Sequence, residues 1–396
     1  MAVTDISMLR ERRNKKKRDK FIKKLIIVAI AAAVILIFVF TKDIWYPKLD
    51  GILGKIPTPN NTAELAEGNF PLSIEGGADY QLKALGDNIV LSDDSHLLVY
   101  NNDGKVIASE QHTYSNPVTT TGNKRILLYD LGGNDFALYS KYQNIYKKTT
   151  DDPILIARLG SDDSAAVVVK SDKYPSELMV YDGTGKNIFN YKSVSRIIDV
   201  TFNAENSGCY ITTIGAKGGL IVSQIIYYKF DHIDYDEKGN PLPVWESDKL
   251  ETLALSVRLF GDNNIIMFGD KLCAYLDLNG KTLKTYEYER DLVDYSSNSS
   301  IGAMIFRNEE RRTSQLVTID SETGTINEKA LDYDALNLQV SGNSVYMQTR
   351  NGVESCSVIG EVISSVRLDT EYEDFLRLDN YIYLLGYDEV NRITYN

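Results

Sequence analysis

The sequence predicts an all-β fold, a single β-propeller of eight four-stranded blades over residues 70–396, preceded by one N-terminal transmembrane helix. Three observations support this prediction. Short runs of β-branched and aromatic residues recur from Phe70 onward, with Gly, Asp, Asn or Ser between them. A turn motif returns with a period of about 40 residues, the length of one propeller blade. A sixteen-residue apolar run, Leu25–Phe40, follows a dense basic block.

The apolar run LIIVAIAAAVILIFVF is slightly shorter than the roughly 20 residues that a membrane-spanning helix usually needs. Its flanks supply the difference, because Phe21 and Ile22 precede it and Trp45 and Tyr46 follow it where an interfacial aromatic belt would lie. A buried core helix is the alternative, but such a helix normally keeps one polar face. We therefore predict a transmembrane helix over residues 25–46.

The charges beside this helix predict its orientation. Residues 1–24 carry ten Lys or Arg and three Asp or Glu, whereas only two cations, Lys42 and Lys48, follow closely on the other side. The positive-inside rule therefore places a basic tail, residues 1–24, in the cytoplasm and the C-terminal bulk outside the plasma membrane. A cleaved signal peptide is the alternative, but no A-x-A-like site follows the run. The prediction is a single-pass protein with an uncleaved signal anchor.

The net charge of the chain limits the classes of partner that it is expected to bind. The chain carries −12 in total and its first 24 residues carry +7, so the remainder carries −19. A domain this acidic disfavours nucleic acid as a partner. We expect the partners to be the membrane itself, through the one spanning helix, and envelope proteins or cell-wall polymers.

Three cysteines, Cys209, Cys273 and Cys356, are widely spaced and form no C-x-x-C motif. Their odd number means that they cannot all pair within one chain. Each lies among strand-like residues, which predicts buried free thiols.

A segment of different composition lies between the predicted helix and the predicted propeller. Residues 47–69 contain Pro47, Pro57 and Pro59 and show no strand alternation. We interpret them as a semi-extended stalk that holds residues 70–396 away from the bilayer.

A hairpin motif recurs through residues 70–396. An apolar strand end is followed by Asp, Asn or Gly, which tolerate positive φ, and then by a new strand. The copies are Tyr100–Ile107, Tyr181–Ile188, Leu276–Leu283 and, more loosely, Ile319–Ile326 and Ser357–Ile363. Weaker hairpins near residues 140–145 and 238–240 fill the two double-length gaps, so the period is about 40 residues.

A second signature, Gly-Asp-Asn or Ser-Gly-Asn, precedes strands at Gly86, Gly261 and Gly342, and Gly122 is similar. We interpret it as the turn between the first two strands of a blade. Eight blades across residues 70–396 require about 41 residues each, and seven blades of about 47 remain the alternative. The predicted blades are 80–113, 114–150, 153–193, 194–250, 251–288, 289–330, 331–368 and 369–396. The last takes its fourth strand from FPLSIEGG, residues 70–77, which closes the ring without a free edge.

The Asp-x-x-Gly-Lys turn after a hydrophobic strand resembles the repeats of quinoprotein-type and WD40-like β-propellers. The overall plan resembles an uncharacterised family of membrane-anchored propellers in Gram-positive bacteria. Two departures qualify the resemblance. The tryptophan that normally follows the quinoprotein turn is replaced by Phe189 or Tyr191 and by Tyr286, and no adjacent Cys pair or Trp-Asp strand end occurs. The resemblance therefore implies the fold and implies no quinone cofactor.

No catalytic, cofactor-binding or metal-binding residue is predicted. The three histidines, His96, His112 and His232, have no ligand spacing and are interpreted as surface residues. Neither G-x-S-x-G nor a phosphate-binding loop occurs, and Gly215–Gly219 is interpreted as a hairpin tip.

One segment partly resembles a calcium-binding loop. Asp234, Asp236 and Gly239 echo the start of an EF-hand loop, but Lys238 replaces an oxygen ligand and Trp245 replaces the bidentate Glu. The preferred interpretation of residues 231–240 is an acidic hairpin that protrudes from blade 4.

The sequence favours a non-catalytic module that binds or scaffolds other molecules at the cell envelope. The alternative is an envelope polysaccharide hydrolase or lyase that uses carboxylates at the mouth of the propeller channel. A deep axial pocket with clustered carboxylates of raised pKa would favour the enzyme. An exposed apolar patch would favour partner binding.

Overall fold

A computed structural model describes residues 61–62, 68–231, 233–237, 239–308, 310 and 312–395. The basic tail, the predicted transmembrane helix and most of the predicted stalk lie outside these residues, as do His232 and Lys238. The described part is all β, with strands in eight sheets and no helix. Within it, accordingly, no helix has the length and hydropathy needed to cross a membrane.

The strands of the first half of the ring follow two short N-terminal strands, β1 (Asn61–Thr62) and β2 (Leu72–Ser73). Blade 1 comprises β3 (Gln81–Leu85), β4 (Asn88–Ser92), β5 (His96–Tyr100) and β6 (Val106–Gln111). Blade 2 comprises β7 (Pro117–Thr121), β8 (Arg125–Asp130), β9 (Asp135–Ser140) and β10 (Asn144–Thr149). Blade 3 comprises β11 (Ile154–Leu159), β12 (Ala165–Val169), β13 (Ser176–Tyr181) and β14 (Asn187–Ser193). Blade 4 comprises β15 (Arg196–Phe202), β16 (Gly208–Lys217), β17 (Leu220–Lys229) and β18 (Trp245–Glu246).

The second half repeats the pattern. Blade 5 comprises β19 (Ala254–Phe260), β20 (Asn264–Gly269), β21 (Leu272–Asp277) and β22 (Thr282–Glu287). Blade 6 comprises β23 (Leu292–Ser297), β24 (Ile301–Asn308), β25 (Thr313–Asp320) and β26 (Ile326–Ala330). Blade 7 comprises β27 (Ala335–Ser341), β28 (Ser344–Thr349), β29 (Gly352–Ser357) and β30 (Val362–Arg367). Blade 8 comprises β31 (Asp374–Leu378), β32 (Tyr381–Leu385), β33 (Glu389–Thr394) and, as its outer strand, β2.

Blades 1 to 6 are antiparallel meanders whose strands lie side by side in chain order, and β27–β30 and β31–β33 follow the same pattern in blades 7 and 8. The first strands contact one another around the ring, for example β3 with β7 and with β31, so they form the innermost layer around the axis. The eight predicted blades are confirmed, and the seven-blade alternative is wrong. Every predicted blade interval contains the strands of one observed blade.

The ring closes as predicted, by pairing the two ends of residues 70–396. Leu72 in β2 is the antiparallel partner of Val390 in β33, so the N-terminal segment completes the last blade. The guanidinium of Arg392 lies 4.7 Å from the centre of the Phe70 ring and contacts the carbonyl oxygen of Asn102 in blade 1. A ring closed in this way leaves blade 8 with no missing strand.

A short parallel strand lies outside blade 7. Asn61 and Thr62 of β1 pair with Val366 and Arg367 of β30, which makes this blade five-stranded. These two residues belong to the segment predicted as the stalk.

The core lies between neighbouring blades. The second strand of a blade is covered on both faces, and for this reason β12 reads AAVVV and is buried at every residue. Phe268 of blade 5 and Phe306 of blade 6 belong to one such inter-blade cluster. The cysteines Cys209, Cys273 and Cys356 are free and buried, as predicted.

The recurrent turn between the third and fourth strands is held by one kind of hydrogen bond, although the turn of blade 6 is one residue longer between Asp320 and Gly324. In blade 3, Oδ1 of Asp182 accepts hydrogen bonds from the N–H groups of Thr184 and Lys186, and Gly185 takes a φ of 83°. An Asp, Asn or Ser side chain accepts main-chain N–H groups in the same way at Asn101, Asp236, Asp277, Asp320 and Ser357. The turn motif is therefore explained by local hydrogen bonding.

Candidate functional site

The innermost strands of blades 1–5 surround a cavity of about 520 Å³, here named the axial cavity. Its wall also includes the turns that follow the first strands of blades 3 and 4, so it lies toward that end of the ring. Three cationic side chains line it, Lys83 of β3, Arg158 of β11 and Arg258 of β19. The remaining wall residues are apolar, hydroxyl-bearing, amide-bearing or Gly, and none is Asp or Glu.

Asp199 of β15 joins two of these cations. Its Oδ1 accepts a hydrogen bond of 2.8 Å from Nε of Arg158, and its Oδ2 accepts one of 2.6 Å from Nη1 of Arg258. Oδ2 also accepts the main-chain N–H of Val257 at 2.9 Å. The Asp199 side chain is fully buried, whereas the two arginines are 25% and 40% exposed. One carboxylate therefore ties blades 3, 4 and 5 together and leaves both guanidinium groups at the cavity wall.

A β-bulge precedes Asp199 and recurs in five successive blades. The register of β15 shifts between Ile197 and Asp199, which leaves Ile198 as an extra residue. The corresponding extra residues of blades 3 to 7 are all apolar: Leu155, Ile198, Leu255, Val293 and Leu336. Asp199 and Asp294 therefore occupy the same position, directly after the bulge.

Polar side chains near the start of several inner strands, Asp199 and Asp294 after the bulge and Gln81 in the unbulged β3, hold one blade to the next. Oδ2 of Asp294 in blade 6 accepts the N–H of Leu338 in blade 7 at 2.7 Å. In blade 1, Oε1 of Gln81 accepts the N–H of Thr119 in blade 2 at 3.0 Å. Such side chains satisfy main-chain donors on the inner strands that no neighbouring strand of the same blade can reach.

Two axial carboxyl groups have perturbed pKa values. Burial raises the pKa of Asp294 and that of Asp374 above the usual range of an aspartate. The negative charge of Asp374 raises the pKa of Asp294 further, while the charge of Lys83 opposes the increase at both. Oδ1 of Asp374 accepts the N–H of Phe375 at 2.8 Å. These carboxyl groups meet one criterion for an acid–base pair, but neither lines the axial cavity.

An exposed apolar surface, here named the blade-4 patch, lies at the opposite end of the strands. It comprises Val194, which is 81% exposed, together with Leu220, Ile221 and Leu255. β16 and β17 form an unusually long hairpin in which Ala216 faces Ile221, and its tip extends past the last β15–β16 partner pair, Arg196 and Ile214. Because strands alternate in direction, this tip lies at the same end as Val194, in the connection before β15, and Leu255, at the start of β19.

Two histidines and a glycine-rich hairpin tip are among the remaining features predicted from the sequence. His96 opens β5 and contacts Asp93, and His112 lies between blades 1 and 2, where burial lowers its pKa. Gly218 and Gly219 form the tip of the β16–β17 hairpin, as predicted.

The predicted acidic hairpin of blade 4 uses its carboxylate in the recurrent turn. Oδ1 of Asp236 accepts the N–H of Asn240 at 2.8 Å, and Gly239 takes a φ of 80°. Trp245 returns the chain to the blade and packs beside Tyr210 and Tyr227. Among the described residues, no group of three or more His, Cys, Asp or Glu is placed to hold a metal ion.

Sequence reasoning missed the axial residues. A usable signal was present, because Asp199 and Arg258 are charges in the interior of mainly apolar strands, RIIDVTF and ALSVRLF. Such a charge is expected to be buried with a partner or to line a polar channel.

Comparison with solved structures shows the same architecture. The chain is similar to the computationally designed protein Ika8, with a TM-score of 0.60 and 12% identity over 82% of this chain and 98% of that chain. It is similar to Sqt1 of Saccharomyces cerevisiae, with a TM-score of 0.58 and 10% identity over 83% and 99% of the two chains. It is also similar to BamB of Moraxella catarrhalis, with a TM-score of 0.53 and 15% identity over 85% and 98%.

These identities show the fold alone. No curated protein sequence matches the chain. A family model does match it, over residues 69–394, which are the whole propeller as the strands define it. The chain therefore belongs to the family of unknown function DUF5711.

Proposed function

We propose that this protein is a non-catalytic, membrane-anchored β-propeller that binds or scaffolds envelope proteins on the outer side of the plasma membrane of a Gram-positive bacterium. The observation that carries the proposal is the blade-4 patch. Large apolar side chains exposed together on one face of a soluble domain mark a surface that a partner covers. Buried polar side chains such as Asp199 join neighbouring blades of the propeller that presents this patch.

The proposed location rests on the N-terminal sequence. The apolar run Leu25–Phe40, the ten cations before it and the acidic character of the remainder together support an N-terminus in the cytoplasm and a propeller outside.

Cysteine labelling tests the location. The three native thiols are buried and are therefore expected to be unreactive in the folded protein. In intact cells, a membrane-impermeant maleimide is expected to label Lys105→Cys, on an exposed turn, and to leave Ser7→Cys unlabelled until the cells are lysed. Labelling of Ser7→Cys in intact cells would contradict the proposed orientation.

Proximity labelling from the full-length chain tests partner binding. The double variant Leu220→Ser with Ile221→Ser is expected to lose envelope proteins that the wild type enriches. The matched control is Leu283→Ser with Val362→Ser, because these residues are equally exposed but lie on the fourth strands of blades 5 and 7. Equal recovery from both double variants would show that the patch is not the binding surface.

An envelope polysaccharide hydrolase or lyase is the second candidate, favoured by the raised pKa values of Asp294 and Asp374. Digestion of purified cell-wall polymer by the wild type, with loss of digestion in Asp294→Asn, would support it. Digestion that survives in both Asp294→Asn and Asp374→Asn would exclude these carboxyl groups as the catalytic pair.

A further inference from the structure

We infer that the axial cavity is a binding site for a small molecule that carries an oxyanion, either a carboxylate or a phosphate group. The inference is independent of the proposed location and of the blade-4 patch. It rests on the charge of the cavity wall, on the hydrogen-bond donors left over there, and on the size of the space.

The wall is cationic although the domain is acidic. Lys83, Arg158 and Arg258 contribute three positive charges, and the one carboxylate in contact with them, Asp199, is shared between the two arginines. Residues 25–396 carry a net charge of −19, so three cations with no lining anion are a local exception to the surrounding charge. A fixed cluster of this kind attracts anions over short distances.

Arg258 keeps hydrogen-bond donors for a ligand. Arg158 donates through Nε to Asp199 and through Nη1 to its neighbouring carbonyl oxygen, and it also hydrogen-bonds the Tyr129 side chain. Arg258 donates through Nη1 only, and among the described residues no acceptor takes a hydrogen bond from its Nε or Nη2. Nε and Nη2 together form the planar fork that binds carboxylate and phosphate oxygens in pairs. Asp199 holds the guanidinium of Arg258 in place, so a ligand would meet an oriented fork.

Lys83 supplies the third charge from blade 1, which is four blades from Arg258 and two blades from Arg158. Its ammonium group has no hydrogen bond and no ion pair within 4.0 Å in the described part of the chain. Asp294 and Asp374 are close enough for its charge to lower their pKa values, but both use carboxylate oxygens on main-chain N–H groups and neither lines the cavity. Lys83 is therefore the cation of the cavity wall that has the fewest hydrogen bonds and ion pairs within the protein.

The cavity also has a suitable size and polarity. A space of about 520 Å³ lies within the range of about 300–1,000 Å³ that small-molecule sites occupy. Hydroxyl and amide groups of Thr120, Thr201, Ser161 and Asn203 line it beside the cations. The hydroxyls of Thr120 and Thr201 and the amide of Asn203 already donate within the protein. The hydroxyl of Ser161 accepts from Nδ2 of Asn206 and can donate its own proton to a further oxygen of a ligand, which favours an oxyanion with additional polar atoms over a bare halide.

The experiment is isothermal titration of the full-length chain with inorganic phosphate and, separately, with succinate as a carboxylate probe. We expect at least one probe to bind, and Lys83→Met to weaken that binding about tenfold or more, because a charge-assisted hydrogen bond is lost. The matched control Lys105→Met removes the same charge from an exposed turn outside the cavity and is expected to leave affinity unchanged.

Arg258→Lys is the second variant. It keeps the charge beside Asp199 but removes the fork, so it is expected to weaken binding without a large change in melting temperature. Preference for phosphate or for succinate assigns the chemical class. The inference is overturned if neither probe binds the wild type at 10 mM concentration, on the order of the weakest useful affinity. It is also overturned if Lys83→Met and Arg258→Lys both bind like the wild type.

Discussion

Oδ2 of Asp199 accepts a hydrogen bond of 2.6 Å from Arg258, a residue of the next blade and 59 positions away in the chain. The same carboxylate reaches back to Arg158 in the previous blade. Contacts of this kind explain how eight small sheets, each too small to be stable alone, behave as one ring.

Replacing Asp199 with Asn is expected to lower the free energy of unfolding by about 3 kcal/mol. The change leaves two guanidinium groups without a shared anion, and breaking a buried ion pair from one side typically costs about 3–5 kcal/mol. Urea denaturation of the full-length chain measures this. The exposed Asp172→Asn serves as the control and is expected to stay within about 0.5 kcal/mol of the wild type. A loss below about 1 kcal/mol in Asp199→Asn would show that the network contributes little.

Replacing Arg392 with Met is expected to loosen the ring closure. The buried guanidinium lies 4.7 Å from the centroid of Phe70 and 4.4 Å from that of Tyr381, and each cation–π contact is worth about 0.5–2 kcal/mol. We expect a loss of about 2 kcal/mol and faster proteolysis near Phe70, read from the size of the released fragment. Arg290→Met removes a more exposed arginine from the ring of Phe306 and is expected to cost under about 1 kcal/mol. Equal losses would mean that burial at the closure adds nothing.

Asp374 is expected to make the folded state less stable as pH rises. Burial raises its pKa in the folded protein, so its favourable contribution is complete below the unfolded pKa of about 3.9 and is lost as pH rises through the folded value. In Asp374→Asn, whose amide oxygen can still accept the N–H of Phe375, this decline is expected to disappear. Urea denaturation of both proteins from pH 4 to pH 8 checks the difference, on the order of the range that such titrations span.

Asp182 is expected to give the opposite dependence of folding stability on pH. Hydrogen bonds from Thr184, and then from Lys186, lower the pKa of Asp182, so its contribution is present above the unfolded pKa and is lost as pH falls through the folded value. Asp182→Asn is therefore expected to lose stability relative to the wild type mainly at neutral pH. If both variants shift in the same direction with pH, the assignment of opposite signs is wrong.

Two glycines separate backbone strain from steric overlap. Gly280 and Gly239 occupy the same turn position, with φ values of 81° and 80°. A Cβ at Gly280 would overlap the ring of Trp245, whereas a Cβ at Gly239 would meet nothing within 4 Å. Gly239→Ala is expected to cost about 1 kcal/mol from φ alone, and Gly280→Ala about 3 kcal/mol. Thermal unfolding measures both, and indistinguishable melting temperatures would contradict the packing of Trp245 on this turn.

The fold could be predicted because its determinants are local. Asp182 and Gly185 lie three residues apart and specify their turn by themselves. Each copy of the turn can therefore be recognised in the sequence. The regular spacing of such copies then gives the blade count. The eighth blade was predictable for a different reason, since residues 369–396 hold only three strands and a closed ring requires a fourth.

The partners of the axial residues could not be predicted because they are not local. Asp199 meets Arg158 and Arg258 only after three blades have taken their places, and the unequal intervals of 41 and 59 residues do not by themselves indicate that the three side chains meet. The blade-4 patch was hidden for a related reason. Leu220 and Ile221 look like core residues of a strand, and only the extension of the β16–β17 hairpin past β15 leaves them exposed.

The pairing of Leu72 with Val390 also affects the order in which the blades can form during translation. The two residues are 318 positions apart, and at roughly 5–20 residues per second a ribosome needs about 15–60 s to travel from one to the other. Throughout that interval the N-terminal strand has been made but its partner has not. Among the eight blades, blade 8 is thus the last that can be completed, because the N-terminal strand has no partner in this blade until Val390 has emerged.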